Sequence, residues 1–349
     1  MYNGKTVGVV VPAHNEETFV GRVIETMPAF VDRVYAVDDR STDGTWAEIQ
    51  RHAERANRER AGGMPLTDGG AYADTVVEAI RHDTNRGRGG AVKTGYRHAL
   101  EDGLDIIAVM DADGQMNPDM LSRIIEPVAD GRADYAKGTR LLHRDRSEMS
   151  NWRFFGNSLL TYLTKISSGY WRMSDPQNGF TAVSYEALSR IDLDSLYDDY
   201  GFLNDMLTTL NVHDFRVADV SHPAVYGDEQ SGIRYSTFIP KLSTLLARNF
   251  VRRLVLQYVI YSFHPLVLLY FFGIVSGLTG LLGVLVTLAS AFGPGEVFLR
   301  GGLSMLLLVV GGIAVSVAMA YDLQANAGLE VMHEDRFADD DPRRTEVER

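Results

Sequence analysis

The sequence predicts an α/β protein with a mostly parallel sheet, followed by interfacial helices and a two-helix transmembrane hairpin. Three observations predict it. Short apolar runs alternate with helix-periodic segments over the first part of the chain, the pattern of strands joined by crossover helices. Acidic pairs stand directly after two of those runs, at Asp38-Asp39 and at Asp111-Ala112-Asp113. Residues 254–292 contain no Asp, Glu, Lys or Arg. As a helix, that stretch exceeds a hydrocarbon core of about 30 Å.

The elements follow in order. Val7-Gly8-Val9-Val10-Val11 is the first strand, and its turn, Pro12-Ala13-His14-Asn15-Glu16-Glu17, leads into an amphipathic helix near 20–27. A second strand at 33–37 ends on Asp38-Asp39, and Ser41-Thr42-Asp43-Gly44-Thr45 then caps a helix at 46–56. The polar, Gly-rich stretch 61–73 reads as a surface loop. A third strand is expected at 75–81, a helix at 91–101, a fourth strand at 104–110, a helix at 120–129 and a short strand at 135–138.

From 151 to 168, Phe154, Phe155, Leu159, Tyr162, Leu163 and Ile166 recur at helical spacing, with Arg153 and Lys165 among them. Such a helix lies either in the core or in a membrane interface. Residues 235–254 have the same character. Two spans are then expected, at 265–288 and 303–321, separated by Gly293-Pro294-Gly295. Gly273 and Gly277 in the first and Gly311-Gly312 in the second permit close packing. Lys241, Arg248, Arg252 and Arg253 precede the first span, whereas the connection offers only Arg300. By the positive-inside rule both ends are cytoplasmic and the connection lies outside. The N-terminal run is too short for a secretory signal, which also places the start of the chain in the cytoplasm. The expected division is a catalytic domain at 1–234, an amphipathic juxtamembrane helix at 235–263, the hairpin at 264–322 and a flexible charged cytoplasmic tail at 323–349.

Net charge is −12, from 34 basic and 46 acidic residues, which excludes nucleic acid as the main partner. With no cysteine there is neither disulfide nor thiolate chemistry. The 29 Asp against 17 Glu, with 29 Arg against 5 Lys, suit a halophilic, salt-adapted protein. A GC-rich genome also favours Arg over Lys.

The chemistry is concentrated at strand ends. Asp111, Asp113 and Gln115 alternate after the fourth strand. Oxygen ligands of this kind suit Mg²⁺ or Mn²⁺ rather than zinc, and hold such a cation against a diphosphate. Two solvated loop acids are the plain alternative. Glu16 and Asp39 stand at the carboxyl ends of strands one and two, the edge where parallel sheets bind nucleotides. For Asp39 the alternative is a cap on the next helix. Gly87, Gly89 and Gly90 precede a helix and let backbone approach a ligand, while Arg86 and Arg88 face either a diphosphate or solvent.

Together these segments resemble the family 2 glycosyltransferases of the GT-A fold. They are Pro12-Ala13-His14-Asn15-Glu16, Asp38-Asp39 with Ser41-Thr42-Asp43-Gly44-Thr45, Asn85-Arg86-Gly87-Arg88-Gly89-Gly90-Ala91 and Asp111-Ala112-Asp113-Gly114-Gln115. The likeness is greatest to dolichyl-phosphate mannose and glucose synthases and related polyprenyl-phosphate glycosyltransferases, and covers about 5–235. It implies that Pro12, Ala13, His14, Glu16, Asp39, Arg86, Gly87 and Ala112 bind the nucleotide, and that Asp111, Asp113 and Gln115 hold the metal. Arg140, Arg153 and Asn157 would hold the acceptor phosphate, although relatives more often carry a hydroxyl where Asn157 stands. Asp111, Asp113, Arg140 and Arg153 would be the catalytic set. Asp175-Pro176-Gln177-Asn178-Gly179-Phe180 resembles the segment facing sugar and metal. The segment 227–232 resembles a loop over the donor, with Gly232 where relatives often have Lys and Arg234 the nearest cation.

The activity so implied is inverting, metal-dependent transfer of a hexose from UDP-glucose or GDP-mannose to polyprenyl or dolichyl phosphate. It would occur at the cytoplasmic face of the cell membrane, with membrane lipid as a further partner. An alternative is extension of a lipid-linked saccharide through a hydroxyl, with Asp205 of Asn204-Asp205 as general base. A non-catalytic membrane scaffold on the same fold is the third reading.

Overall fold

The computed structural model describes residues 1–61, 76–139, 151–221, 235–289 and 294–332. Strand β1 (Val7–Ala13) is buried along its whole length, as expected of an apolar run in a parallel sheet. Helix α1 (Val20–Glu25) returns to β2 (Arg33–Asp38), and α2 (Thr45–Ala61) precedes β3 (Val76–Arg81). Then come α3 (Gly87–Glu101), β4 (Ile106–Val109), α4 (Leu121–Ala129), β5 (Tyr135–Thr139) and α5 (Asn151–Ser168). Five elements were not legible in the sequence: β6 (Thr181–Ser184), α6 (Tyr185–Arg190), α7 (Phe202–Val212), β7 (Val217–Ser221) and a last strand at Glu330–Met332.

The sheet order is β3-β2-β1-β4-β6-β5-β7, completed by a short strand β8 (Glu330–Met332). β1 pairs in parallel with both β2 and β4, and β2 with β3, whereas β6 runs antiparallel between β4 and β5. Two apolar layers clamp the sheet. α1, α2 and α4 pack on one face through Val20, Ile24, Ile49, Leu121 and Ile125. α3, α6 and α7 pack on the other through Val92, Tyr96, Leu188, Met206 and Leu210.

Beyond the sheet, α8 (Tyr235–Val255) passes through a π-helical turn into α9 (Leu266–Ala289), which pairs with α10 (Pro294–Asn326). Twenty-four residues at 1.5 Å rise make α9 about 36 Å long. Both helices are long and apolar enough to cross a membrane, and only 11% of the most apolar window of each is buried. That exposure differs from a soluble core helix. Gly311 meets the backbone of Gly273 and Gly277 so closely that a Cβ there would lie 2.5 Å from Gly277 N, so the expected small-residue contact forms.

Three expectations are corrected. The second apolar helix does not wait until 303: α10 begins at Pro294, so Gly295 and Arg300 lie in its first turns rather than in a connecting loop. The charged tail does not begin at 323: α10 runs to Asn326, and β8 pairs in parallel with β7, with Glu330 Oε1 accepting from Arg172 N–H at 2.7 Å. Residues 333–349 lie outside the described residues. The basic cluster before the hairpin is split. Arg253 is fully buried against Asp322, and Arg252 turns inward to Asp205, leaving Lys241 and Arg248 exposed.

Candidate active site

The sheet order brings the candidate residues to one edge. Because β1, β2, β3 and β4 run parallel, their carboxyl ends coincide, and the order reverses about β1, with β2 on one side and β4 on the other. Ligands bind in the crevice at such a switch point. The ladder extends slightly past the strands: Asp39 N–H donates to Ala13 O at 2.8 Å, His82 N–H to Asp38 O at 2.9 Å and Met110 N–H to Val10 O at 3.0 Å. Residues 14–16, 39, 82–88 and 111–115 therefore emerge together. β5 points the same way as β4, since each is antiparallel to β6, and it ends immediately before Arg140.

Pro12 and Ala13 form the buried end of β1. The following turn passes through Asn15 at φ +59°, whose Oδ1 accepts from Thr42 N–H at 2.8 Å. Glu16 N–H donates to Thr45 Oγ1 at 2.7 Å, and His14 Nδ1 lies 3.0 Å from Asp39 O. Asp39 is 3% exposed. Its Oδ1 lies 2.8 Å from His82 Nδ1 and accepts from Arg86 N–H at 2.8 Å, and His82 Nε2 lies 2.9 Å from Thr94 Oγ1. Burial alone would raise the Asp39 pKa, but His82 and the N–H groups of Arg86 and Gly87 outweigh it and hold the carboxylate below its ordinary value. Asp39 thus serves the start of α3. The first turn of α2 is closed instead by Asp43, whose Oδ1 accepts from Thr45 N–H at 3.0 Å.

The glycine run is corrected. α3 begins at Gly87 rather than Ala91, so the glycines lie inside its first turn. Gly87 has φ +79°, and a Cβ there would sit 2.8 Å from Asp198 O. A Cβ on Gly89 would lie 2.7 Å from the same carbonyl, and Gly90 N–H donates to it at 3.0 Å. On these sides the close neighbour is the protein's own loop at 197–199.

At the end of β4, Ala112 is buried while Asp111 and Asp113 are partly open. Asp111 Oδ1 accepts from Arg88 Nε at 2.8 Å and lies 2.7 Å from its Nη2, so Arg88 is neither a free surface cation nor aimed only at a diphosphate. Burial disfavours the Arg88 charge, but Asp111 more than offsets it and raises the pKa. Asp113 Oδ1 accepts from Gln115 N–H at 2.9 Å, closing a tight turn around Gly114. Arg88 Nη2 also donates to Gly179 O at 3.3 Å, which brings the 175–180 segment beside Asp111. Among the described residues no three His, Cys, Asp or Glu side chains converge as a metal cage. The donor set suits a hard cation that takes one or two carboxylates and completes its shell with substrate phosphates and water.

Asn204 and Asp205 lie in α7 and are wholly buried. Asn204 Nδ2 donates to Thr164 Oγ1 at 2.7 Å, and its Oδ1 accepts from Gln177 Nε2 at 3.0 Å. Asp205 Oδ2 accepts from Tyr197 N–H at 2.9 Å and Oδ1 from Arg252 Nη2 at 3.0 Å. Both carboxylate oxygens of Asp205 are therefore taken by protein partners and closed off from solvent. Lys137 likewise is sealed, 1% exposed and 3.0 Å from Asp219 Oδ1. Arg140, the 227–232 loop and Arg234 lie outside the described residues, as do the side chains of Arg153 and Asn157 on α5. Sequence reasoning missed the Arg88–Asp111 pair and the His82–Asp39 contact. Their only sequence signal is that Asp39, His82 and Asp111 follow strands, while Arg88 stands in the glycine run that opens α3.

A crevice at the switch point of a mostly parallel sheet, with an acidic turn on the central strand β4, is the arrangement expected of a nucleotide-sugar transferase of the GT-A class. Residues 8–192, more than half of the chain, match the family described as Glycosyl transferase family 2, and the chain belongs to that family. Among curated relatives, the UDP-N-acetylglucosamine–dolichyl-phosphate N-acetylglucosaminyltransferase of Methanococcus voltae is 28% identical, over 64% of this chain and 86% of that protein. The polyprenol monophosphomannose synthase of Mycolicibacterium smegmatis is 29% identical over 64% of this chain and 78% of its own. A solved structure of glucosyl-3-phosphoglycerate synthase from Mycobacterium tuberculosis is similar with a TM-score of 0.48 and 18% identity, covering 72% of this chain and 80% of that one.

Proposed function

We propose that this glycosyltransferase moves a hexose from a nucleoside diphosphate sugar to a polyprenyl phosphate, dolichyl phosphate being the form we favour, with inversion at the anomeric carbon. The observation that carries the reading is the Asp111–Ala112–Asp113 turn at the switch-point crevice, on a domain joined to two helices of membrane-spanning length. The named activities of the relatives, transfer to dolichyl or polyprenol phosphate, support the acceptor class.

In this reading Asp111 and Asp113 hold Mg²⁺ or Mn²⁺, which when bound neutralises charge building on the leaving diphosphate. Pro12, Ala13, His14, Glu16, Asp39, Arg86, Gly87 and Ala112 hold the nucleotide, and Gln115 would join the two acids on the metal. The acceptor phosphate is already ionised near neutral pH. Its oxygen forms the new bond to the anomeric carbon as the bond to the diphosphate oxygen breaks, and no protein base is required. The enclosure of Asp205 agrees with that economy and disfavours the hydroxyl-acceptor alternative.

The test is transfer by the purified full chain from labelled UDP-glucose, GDP-mannose or UDP-N-acetylglucosamine to dolichyl phosphate, with and without divalent cation. Labelled lipid from one donor supports the function. Donor binding without lipid product from any of them overturns the acceptor assignment.

Arg140→Ala is expected to raise KM for the lipid phosphate at least about tenfold, as loss of one charge-assisted contact implies, with little change in donor KM. A shift confined to donor KM would move Arg140 to the diphosphate side.

We also place both termini in the cytoplasm. The chain has no cysteine, so Glu296→Cys at the start of α10 gives a single reporter. Labelling by a membrane-impermeant maleimide in intact cells is the expected result, and labelling only after permeabilisation reverses the topology.

A further inference from the structure

One buried acid links the helix that leads to the membrane with the glycine turn of the donor crevice. Every residue of α7 is buried, and Asp205 stands among them at 0% exposure. An isolated carboxylate there costs several kcal/mol, so its partners define its purpose. Two are arginines of α8: Arg252 Nη2 at 3.0 Å from Oδ1, also donating to Thr209 Oγ1 at 2.7 Å, and Arg248 Nη2 at 3.7 Å from Oδ2. The third is Tyr197 N–H at 2.9 Å.

Tyr197 opens the loop that seats α3. Lys93 Nζ donates to Leu196 O at 2.8 Å and pairs with Asp198, while Asp198 O accepts from Gly90 N–H and lies against Gly87 and Gly89. From the same turn Arg88 reaches Asp111, and Arg86 N–H reaches Asp39. The contacts form a continuous path: α8 arginines, Asp205, the 196–199 loop, the glycine turn, and the two acids of the crevice. Where α8 meets the loop, a groove of about 410 Å³ is lined by Tyr197, Lys241, Leu245 and Arg248.

We propose that Asp205 is a positioning residue that couples the seating of α8 to the shape of the nucleotide site. The proposal rests on the donor reading above, but not on the identity of the acceptor. An α8 held by the membrane fixes Arg252 and Arg248, which fix Asp205 and through it the loop under Gly87–Gly90. Release of α8 lets that loop relax and loosens the nucleotide site.

The experiment uses the full chain in lipid nanodiscs, with UDP and GDP as probes in the presence of Mg²⁺, read by calorimetry. Asp205→Asn and Arg252→Gln are each expected to weaken binding of the preferred nucleotide about fivefold or more, within the usual range of coupling between sites. The double variant is expected to be no weaker than the poorer single one, because both cut the same path. Arg252→Lys, which keeps the charge, is expected to recover part of the loss. Unchanged nucleotide affinity in Asp205→Asn, with only a lower melting temperature, overturns the coupling and leaves a plain anchor. Unchanged affinity with turnover down 10²–10⁴-fold also overturns it and makes Asp205 a base. If Asp205→Asn does not fold, Arg252→Gln and Arg252→Lys carry the same decision. Nucleotide affinity reads the coupling and lipid transfer reads the function, so the two fail separately.

Discussion

Asp113→Ala is expected to abolish sugar transfer while the protein remains folded. The acid sits on the turn that ends β4, in the crevice between β1 and β4. Its Oδ1 also accepts the Gln115 N–H at 2.9 Å, so alanine removes both a charge and a turn hydrogen bond. The hydrogen bond contributes about 1 kcal/mol to stability. The charge matters far more to the reaction, because a carboxylate that holds a divalent cation supports several kcal/mol of transition-state stabilisation. At about 1.4 kcal/mol per decade, a loss of three decades or more in kcat is expected. Asp113→Asn separates the two effects. It keeps an oxygen for the turn, so its melting temperature is expected near that of the unaltered chain, with activity as low as in the alanine variant. Near-normal turnover of Asp113→Asn at saturating donor and Mg²⁺ or Mn²⁺ would falsify the metal assignment.

Asp322→Leu is expected to give the largest loss of stability. Asp322 and Arg253 form an ion pair with neither side chain exposed, at 2.7 and 2.8 Å. Arg253 also donates to Ser167 O and Ile166 O at the end of α5, and Asp322 Oδ1 accepts from Tyr258 O–H at 2.7 Å. Asn326 extends the cluster to Asn211 of α7 at 2.8 Å. This cluster fastens the apolar hairpin to the catalytic domain. Removing the acid leaves a buried guanidinium without its counter-charge, a change that costs about 3–5 kcal/mol. Replacing both, as Arg253→Met with Asp322→Leu, removes the stranded charge and is expected to recover more than half of the loss. Unfolding by denaturant in detergent micelles measures both. A single-variant loss below about 1 kcal/mol would show that water reaches the pair in the assembled protein.

The elements that were legible in the sequence are those with a local signature. The run Val7-Gly8-Val9-Val10-Val11 has no reading except a buried strand, and the helical spacing over Asn151–Ser168 gave that element its observed limits. The acidic turn after β4 and the two long apolar helices were equally visible. The missed elements lack such a mark. β6 has four residues and β8 three, too few for a period. α7 is buried on every side, so it shows no amphipathic stripe.

By itself the sequence determined that an α/β catalytic domain precedes an apolar hairpin, that acidic residues close strands two and four, and which family the chain belongs to. Each is written in neighbouring residues, where pattern and turn chemistry act over a few positions. Only the tertiary structure decided what those side chains do. It gave Asp111 to Arg88, Asp39 to His82 and the start of α3, Asp205 to Arg252, and Arg253 to Asp322. It also turned the glycine run toward the protein's own loop and drew residues 330–332 from the expected tail into the sheet. These partners lie tens of residues apart, and burial decides among them: a charge removed from water must find its counter-charge wherever the packed elements place one.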